Sequence, residues 1–128
     1  VSITSVLRLA AVVLAVSSAA CAPAGSEAVK GDVVTVRGVD VPLSFEPKEI
    51  ELHAGRYNIR FRNEGMLPHQ LAAGSPDDDG KYPDGDTRQV AGGQEASFTI
   101  TLDEGRHAFA CYVDRHNEAG MTGTFIVG

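Results

Sequence analysis

Little in this chain could cross-link it. Cysteine occurs twice in 128 residues, at Cys21 and Cys111, too few for a disulfide framework. Positive charge is scarce as well. Eleven basic against 17 acidic residues leave a net charge of −6, which argues against nucleic acid or an anionic membrane surface as the main partner. No window carries helical periodicity, which sets the helical fold classes aside. Internal repeats are absent too, and the length suits one domain. What remains, 43% hydrophobic and 22% charged, is the composition of an ordinary globular domain rather than a disordered one.

Residues 1–20 read as an export signal. Arg8 is their only charge, Leu9 to Val16 is apolar throughout, Ser17 to Ala20 are small, and Cys21 follows at once. The apolar run is too short for a comfortable membrane span. The order resembles a bacterial lipoprotein signal, with Ser18 where Leu is usual. That resemblance implies a lipid on Cys21 and a location on the outer face of the cytoplasmic membrane or in the periplasm. Residues 21–31, with Pro, Gly, Ser and small side chains, read as a flexible tether. Cys111 would then have no disulfide partner. An unpaired Cys in an exported protein is a liability unless something such as a metal occupies it.

Residues 32–128 read as an all-β domain. Val33 to Val39 is rich in β-branched residues. Pro42 to Pro47 carries Phe45. Ile50 and Leu52 alternate with polar neighbours, as do Tyr57, Ile59 and Phe61 with Asn58 and three arginines, and Phe98, Ile100 and Leu102 with Ser97 and two threonines. Further strands are expected at 70–73, 107–113 and 124–127, with a polar loop over 74–86. Seven to eight short strands with frequent turns imply a β-sandwich.

The stretch from Cys111 to Met121 concentrates the chemistry. Cys111, His116 and Met121 stand at Cys-x4-His-x4-Met spacing, offering a soft thiolate, an imidazole and a thioether. Their most economical joint use is to hold copper. A trigonal copper site needs a second imidazole, for which His53, His69 and His107 are available. His53 lies on the polar face of its strand and is expected in solvent. His107 shares the parity of Phe109 and Cys111 and is expected inward, hydrogen-bonded in the core. Gly120 lets the chain turn sharply beside Met121. A zinc site from Cys111, His116 and another His would leave Met121 without a role.

Two segments carry a family resemblance. Phe45-x-Pro47-x-x-Ile50-x-Leu52-x-Ala54-Gly55-x-Tyr57-x-Ile59-x-Phe61-x-Asn63 resembles the central strand pair of the cupredoxins, the plastocyanin- and azurin-like blue copper proteins. Gly105-x-His107-x-Phe109-x-Cys111, followed by His116 and Met121, resembles their copper loop, with the spacing of auracyanin and rusticyanin-like members. The resemblance spans 32–128 and implies a Greek-key sandwich with one type 1 copper ion at one end. It also implies that His69, in Gly65-Met66-Leu67-Pro68-His69, is the first copper ligand, its approach stiffened by Pro68. Two departures bear on the surroundings of the ligands. Asp114-Arg115 stands where many relatives have Pro-Gly, and Gln70 where they often have an Asn that braces the Cys loop. Held near the metal, the Arg115 charge would raise the reduction potential by favouring Cu(I).

The function these features imply is a membrane-anchored carrier of single electrons, a monomer that meets a cytochrome or a membrane oxidoreductase. The apolar residues Met66, Leu67, Pro68 and Ala119 would form the docking patch. A copper chaperone or buffer, with Met66 as an extra soft ligand, is one alternative. A metal-free binding module of the same fold is another. An enzyme is not expected, because no His-x-His pair of the multicopper oxidases occurs. Asp77, Asp78, Asp79, Asp84 and Asp86 make the 74–86 loop acidic: a solvated loop, or a surface that steers a basic redox partner.

Overall fold

The computed structural model describes residues 32–128; the export signal and the Cys21 tether lie outside the described residues. Eight strands follow one another: β1 (Val33–Asp40), β2 (Leu43–Glu46), β3 (Glu49–Leu52), β4 (Gly55–Asn63), β5 (Ala72–Ala73), β6 (Glu95–Leu102), β7 (Gly105–Ala110) and β8 (Thr122–Val127). Among the described residues a single 3-10 turn, Val113–Arg115, interrupts them. One sheet has the order β2-β1-β4-β6 and the other β3-β8-β7-β5. Both are mixed, with β1 parallel to β4 and β3 parallel to β8. This is the all-β sandwich expected from the alternation.

Side-chain parity selects the faces. In β4 the residues Tyr57, Ile59, Phe61 and Asn63 are buried, and the four intervening residues from Arg56 to Arg62 are exposed. A slip of one residue would drive the arginines into the core, so burial pins the register. Val34, Val36, Ile59, Phe61 and Leu102 of the first sheet meet Ile50, Leu52, Phe109, Phe125 and Val127 of the second. Phe109 sits at the middle, with ring centroids 5.1 Å from Phe45 and 4.6 Å from Phe125. Burying each such ring is worth about 1.5–3 kcal/mol.

Two local expectations are corrected. The strand into the copper loop ends at Ala110 rather than running to Val113, because the chain leaves the sheet there and Val113 starts the 3-10 turn. His107 is half-buried, not in the core: it sits near the start of β7, where its Nε2 is 2.7 Å from the Asp103 carbonyl across the turn. The fully buried residue of that parity is Phe109. His53 is exposed, as expected.

The parallel pairing of β1 and β4 puts their C-terminal ends side by side, with Gly38 opposite Asn63. The end of β7 lies against the start of β8, with Ala110 opposite Thr122. Asp40, Asn63, Cys111 and Met121 therefore come to one end of the sandwich, and the segment from Asn63 to β5 crosses that end carrying His69.

Candidate metal centre

Each donor at this end is held by backbone. His69 makes a two-way bridge with Val90: its N–H donates to the Val90 carbonyl at 3.0 Å and its carbonyl accepts from the Val90 N–H at 2.7 Å. Cys111 is one residue past β7, and its N–H donates to the Met121 carbonyl at 3.1 Å, closing the loop between them. Within that loop the Met121 N–H donates to the His116 carbonyl at 3.0 Å, and the His116 N–H to the Val113 carbonyl at 2.8 Å. The turn requires left-handed backbone at Asp114 (φ 46°) and Arg115 (φ 57°). Asp tolerates that conformation, whereas for Arg it costs about 1 kcal/mol. The Pro-Gly that relatives often carry here would relieve Arg115.

Three side chains converge. Nδ1 of His69 lies 3.2 Å from Nδ1 of His116, and Sγ of Cys111 lies 3.9 Å and 3.6 Å from them. A triangle with these sides has its centre about 2.1 Å from every corner, the length of a metal–nitrogen bond and close to that of a metal–sulfur bond. These three donors would hold one ion, and a thiolate with two imidazoles suits copper. His69 and Cys111 are fully buried and His116 is 7% exposed. Met121 is also fully buried; a Cβ at Gly38 would stand 3.3 Å from its methyl carbon and 2.7 Å from the Phe61 ring. Glycine at position 38 thus keeps β1 close over this end of the core.

Burial pushes the Cys111 thiol above its ordinary pKa, with the Gln70 N–H acting in the opposite sense. In the metal-free protein the thiol is therefore protonated at neutral pH, and a soft cation binds as it expels that proton. The Gln70 N–H donates to Sγ at 3.3 Å, orienting the sulfur.

The Gln70 side chain spans the site's outer edge. Its Oε1 accepts from the Tyr112 N–H at 3.4 Å and its Nε2 donates to Asp86 Oδ2 at 3.1 Å. Gln70 thus performs the bracing that Asn performs in relatives, and it ties one residue of the acidic loop to the copper loop. The Tyr112 hydroxyl donates to the Gly74 carbonyl at 3.0 Å, and its ring stacks on Tyr82 at 5.3 Å. Asp77 is also used internally, accepting from the N–H groups of Asp79 and Lys81. Arg115 points outward, 83% exposed and 3.8 Å from Glu118, so solvent and that carboxylate screen its charge.

Asp40 is the residue that sequence reasoning missed. Its Oδ1 accepts from His69 Nε2 at 2.6 Å, and its Oδ2 accepts from the N–H groups of Met66 at 2.7 Å and Leu67 at 3.2 Å. The Met66 N–H, then the His69 ring, hold its carboxyl below the ordinary carboxylate range. No spacing signals this contact, because Asp40 and His69 are 29 positions apart and meet only through the β1–β4 pairing. Asn63 secures the same loop: its Nδ2 donates to the carbonyls of Leu67 at 2.8 Å and Val90 at 2.9 Å.

The expected docking residues are exposed to different degrees. Met66 is 91% and Leu67 46% exposed, Ala119 is exposed, and Pro68 is intermediate. Val41, directly after Asp40, is 93% exposed and extends the set.

Residues 32–128 match the copper binding proteins of the plastocyanin/azurin family. With the sandwich and the His-Cys-His cluster, this defines the class as a cupredoxin with copper as its single-ion cofactor. The chain belongs to the plastocyanin/azurin family. Among solved structures it is similar to the reduced auracyanin of Roseiflexus castenholzii, at 18% identity and a TM-score of 0.64 over 76% of this chain and 97% of that one. It is similar to auracyanin A of Chloroflexus aurantiacus, described as a "blue" copper protein, at 19% identity and 0.62 over 75% and 99%. An azurin of Methylomonas sp. strain J aligns at 16% identity and 0.63 over 77% and 98%. A search of curated protein sequences returns no match.

Proposed function

We propose that this chain carries single electrons through one type 1 copper ion, which His69, Cys111, His116 and Met121 would hold. The observation that carries the proposal is the triangle of donors, which has copper's dimensions and is fixed by backbone hydrogen bonds. Bound there, copper supplies a one-electron couple. A scaffold that imposes one geometry on both oxidation states leaves little to reorganise when the electron moves. Burial of the donors favours a resident metal over a transferred one, and so an electron carrier over a chaperone. The buried donor set is in keeping with a carrier rather than an enzyme.

The His116 edge is the one part of the three-donor set that meets solvent. We place the electron exit there, with Met66, Leu67, Pro68, Ala119 and Val41 as the apolar surface for a cytochrome or a membrane oxidoreductase. Cys21 would anchor the exported domain by lipid to the outer face of the cytoplasmic membrane or in the periplasm. Fractionation of a Cys21→Ser variant tests the anchor: the protein moves to the soluble fraction, and membrane retention equal to wild type would remove the idea.

Titrating the metal-free protein with Cu(II) tests the central proposal. One equivalent should give an intense visible charge-transfer band and a reversible one-electron couple. Colourless copper that a weak chelator removes would make the protein a chaperone or buffer instead, with the exposed Met66 as its extra ligand. Absence of binding would leave a metal-free module.

A further inference from the structure

We propose that Asp40 is a positioning residue for copper: its carboxylate selects the His69 tautomer that binds the metal and biases the site toward Cu(II). The inference rests on the copper-carrier reading of the site. It follows from how the two carboxylate oxygens are used. Oδ1 takes the His69 Nε2–H at 2.6 Å, which leaves the lone pair on Nδ1, the atom that faces Cys111 and His116. Oδ2 takes the two backbone N–H groups of Met66 and Leu67. Both oxygens must therefore be acceptors, which an ionised carboxylate provides and an amide does not.

Packing shows the approach to be built. A side chain at Gly65 would collide with the Asp40 carboxylate, so glycine there lets it reach the loop and the imidazole together. Of the carboxylates in the described residues, Asp40 is the one hydrogen-bonded to a member of the donor triangle. Its negative charge, passed through a charge-assisted hydrogen bond, makes His69 a stronger donor and stabilises the more highly charged copper state. The same carboxylate joins His69 to the segment that carries exposed Met66 and Leu67, so metal and surface share one anchor.

In Asp40→Asn, one of the two jobs fails. If the amide oxygen stays on His69, the NH2 group confronts two N–H donors. If the amide turns over, its NH2 donates to Nε2 and drives the His69 proton onto Nδ1, where copper should bind. Cu(II) affinity should fall by about 10–100-fold, as when outer partners of metal-bound histidines are removed. The Cu(I) affinity should fall less, so the reduction potential should rise. Gly65→Ala, which displaces the carboxylate without altering its chemistry, should shift the potential the same way. Asn63→Ser disturbs the same loop without touching His69 and should shift it least.

Nitrogen-15 NMR of the metal-free protein reads the tautomer without copper. Wild type should show His69 protonated on Nε2, and Asp40→Asn should shift the population toward Nδ1–H or a tautomer mixture. A wild-type His69 protonated on Nδ1 would overturn the inference. So would an Asp40→Asn protein that keeps the wild-type potential and Cu(II) affinity, or an Asn63→Ser shift as large as that of Asp40→Asn. If wild type shows Nε2–H yet never forms a visible charge-transfer band, the copper-carrier reading fails while the tautomer role of Asp40 stands.

Discussion

Replacing Cys111 by Ser will abolish the visible charge-transfer band and leave a protein that binds Cu(II) poorly. The thiolate is the only anionic donor among the four proposed ligands, and it supplies the electron density from which an intense copper band arises. A Ser hydroxyl stays protonated at neutral pH and is a hard, weak donor for copper. The loss of Cu(II) affinity should exceed the roughly 10–100-fold that removal of an outer partner costs. The fold should survive, because the hydroxyl can accept the Gln70 N–H now directed at sulfur, and the Cys111 N–H still closes the loop onto Met121. Optical titration and chemical denaturation of wild type and variant, side by side, separate the two effects. A Cys111→Ser protein that still turns blue with copper would show that the donor set is wrong. One that unfolds would show that the thiol is a core group first.

The largest effect on stability is expected at Phe109. Its ring is fully buried and touches Phe45 and Phe125, linking β2 across the sandwich to β7 and β8. Replacing it by Ala removes the ring and leaves a cavity walled by rigid sheets that cannot collapse into it. The cost should be about 3–5 kcal/mol, a large share of the roughly 5–15 kcal/mol that holds a domain together. The urea midpoint of the metal-free protein should fall sharply with little change in slope. Copper should restore part of the loss, since a ligand that binds only the folded state stabilises it by mass action. A fall of less than about 1 kcal/mol would mean that the ring is not the centre of the core.

Much of this is legible in the sequence. Period-two alternation in Tyr57, Ile59 and Phe61 and in Phe98, Ile100 and Leu102 identifies strands and their inner faces, because a sheet has no other way to bury one face. Cys111, His116 and Met121 belong to one short loop, so their spacing alone brings them together. Local pattern carries the strand into that loop three residues too far, to Val113 rather than Ala110, since nothing local marks where the chain leaves the sheet. Parity points His107 toward the core, but parity identifies a face and not the depth along it. Near the start of β7 the sandwich is open enough for the ring to turn to Asp103.

The sequence by itself determined the class of fold, the soft donors of the copper loop and, through family resemblance, the choice of His69. All are consequences of short-range pattern, which a chain carries wherever it is folded. Only the tertiary structure decided that the three donors close to a triangle of copper's size and that Arg115 spends its charge in solvent. Only there does Gln70 turn out to brace the Cys loop, and Asp40 to grip His69 from behind. These depend on residues far apart in the chain meeting through the parallel pairing of β1 with β4 and the crossing between the sheets. Such long-range contacts leave no period or spacing in the sequence.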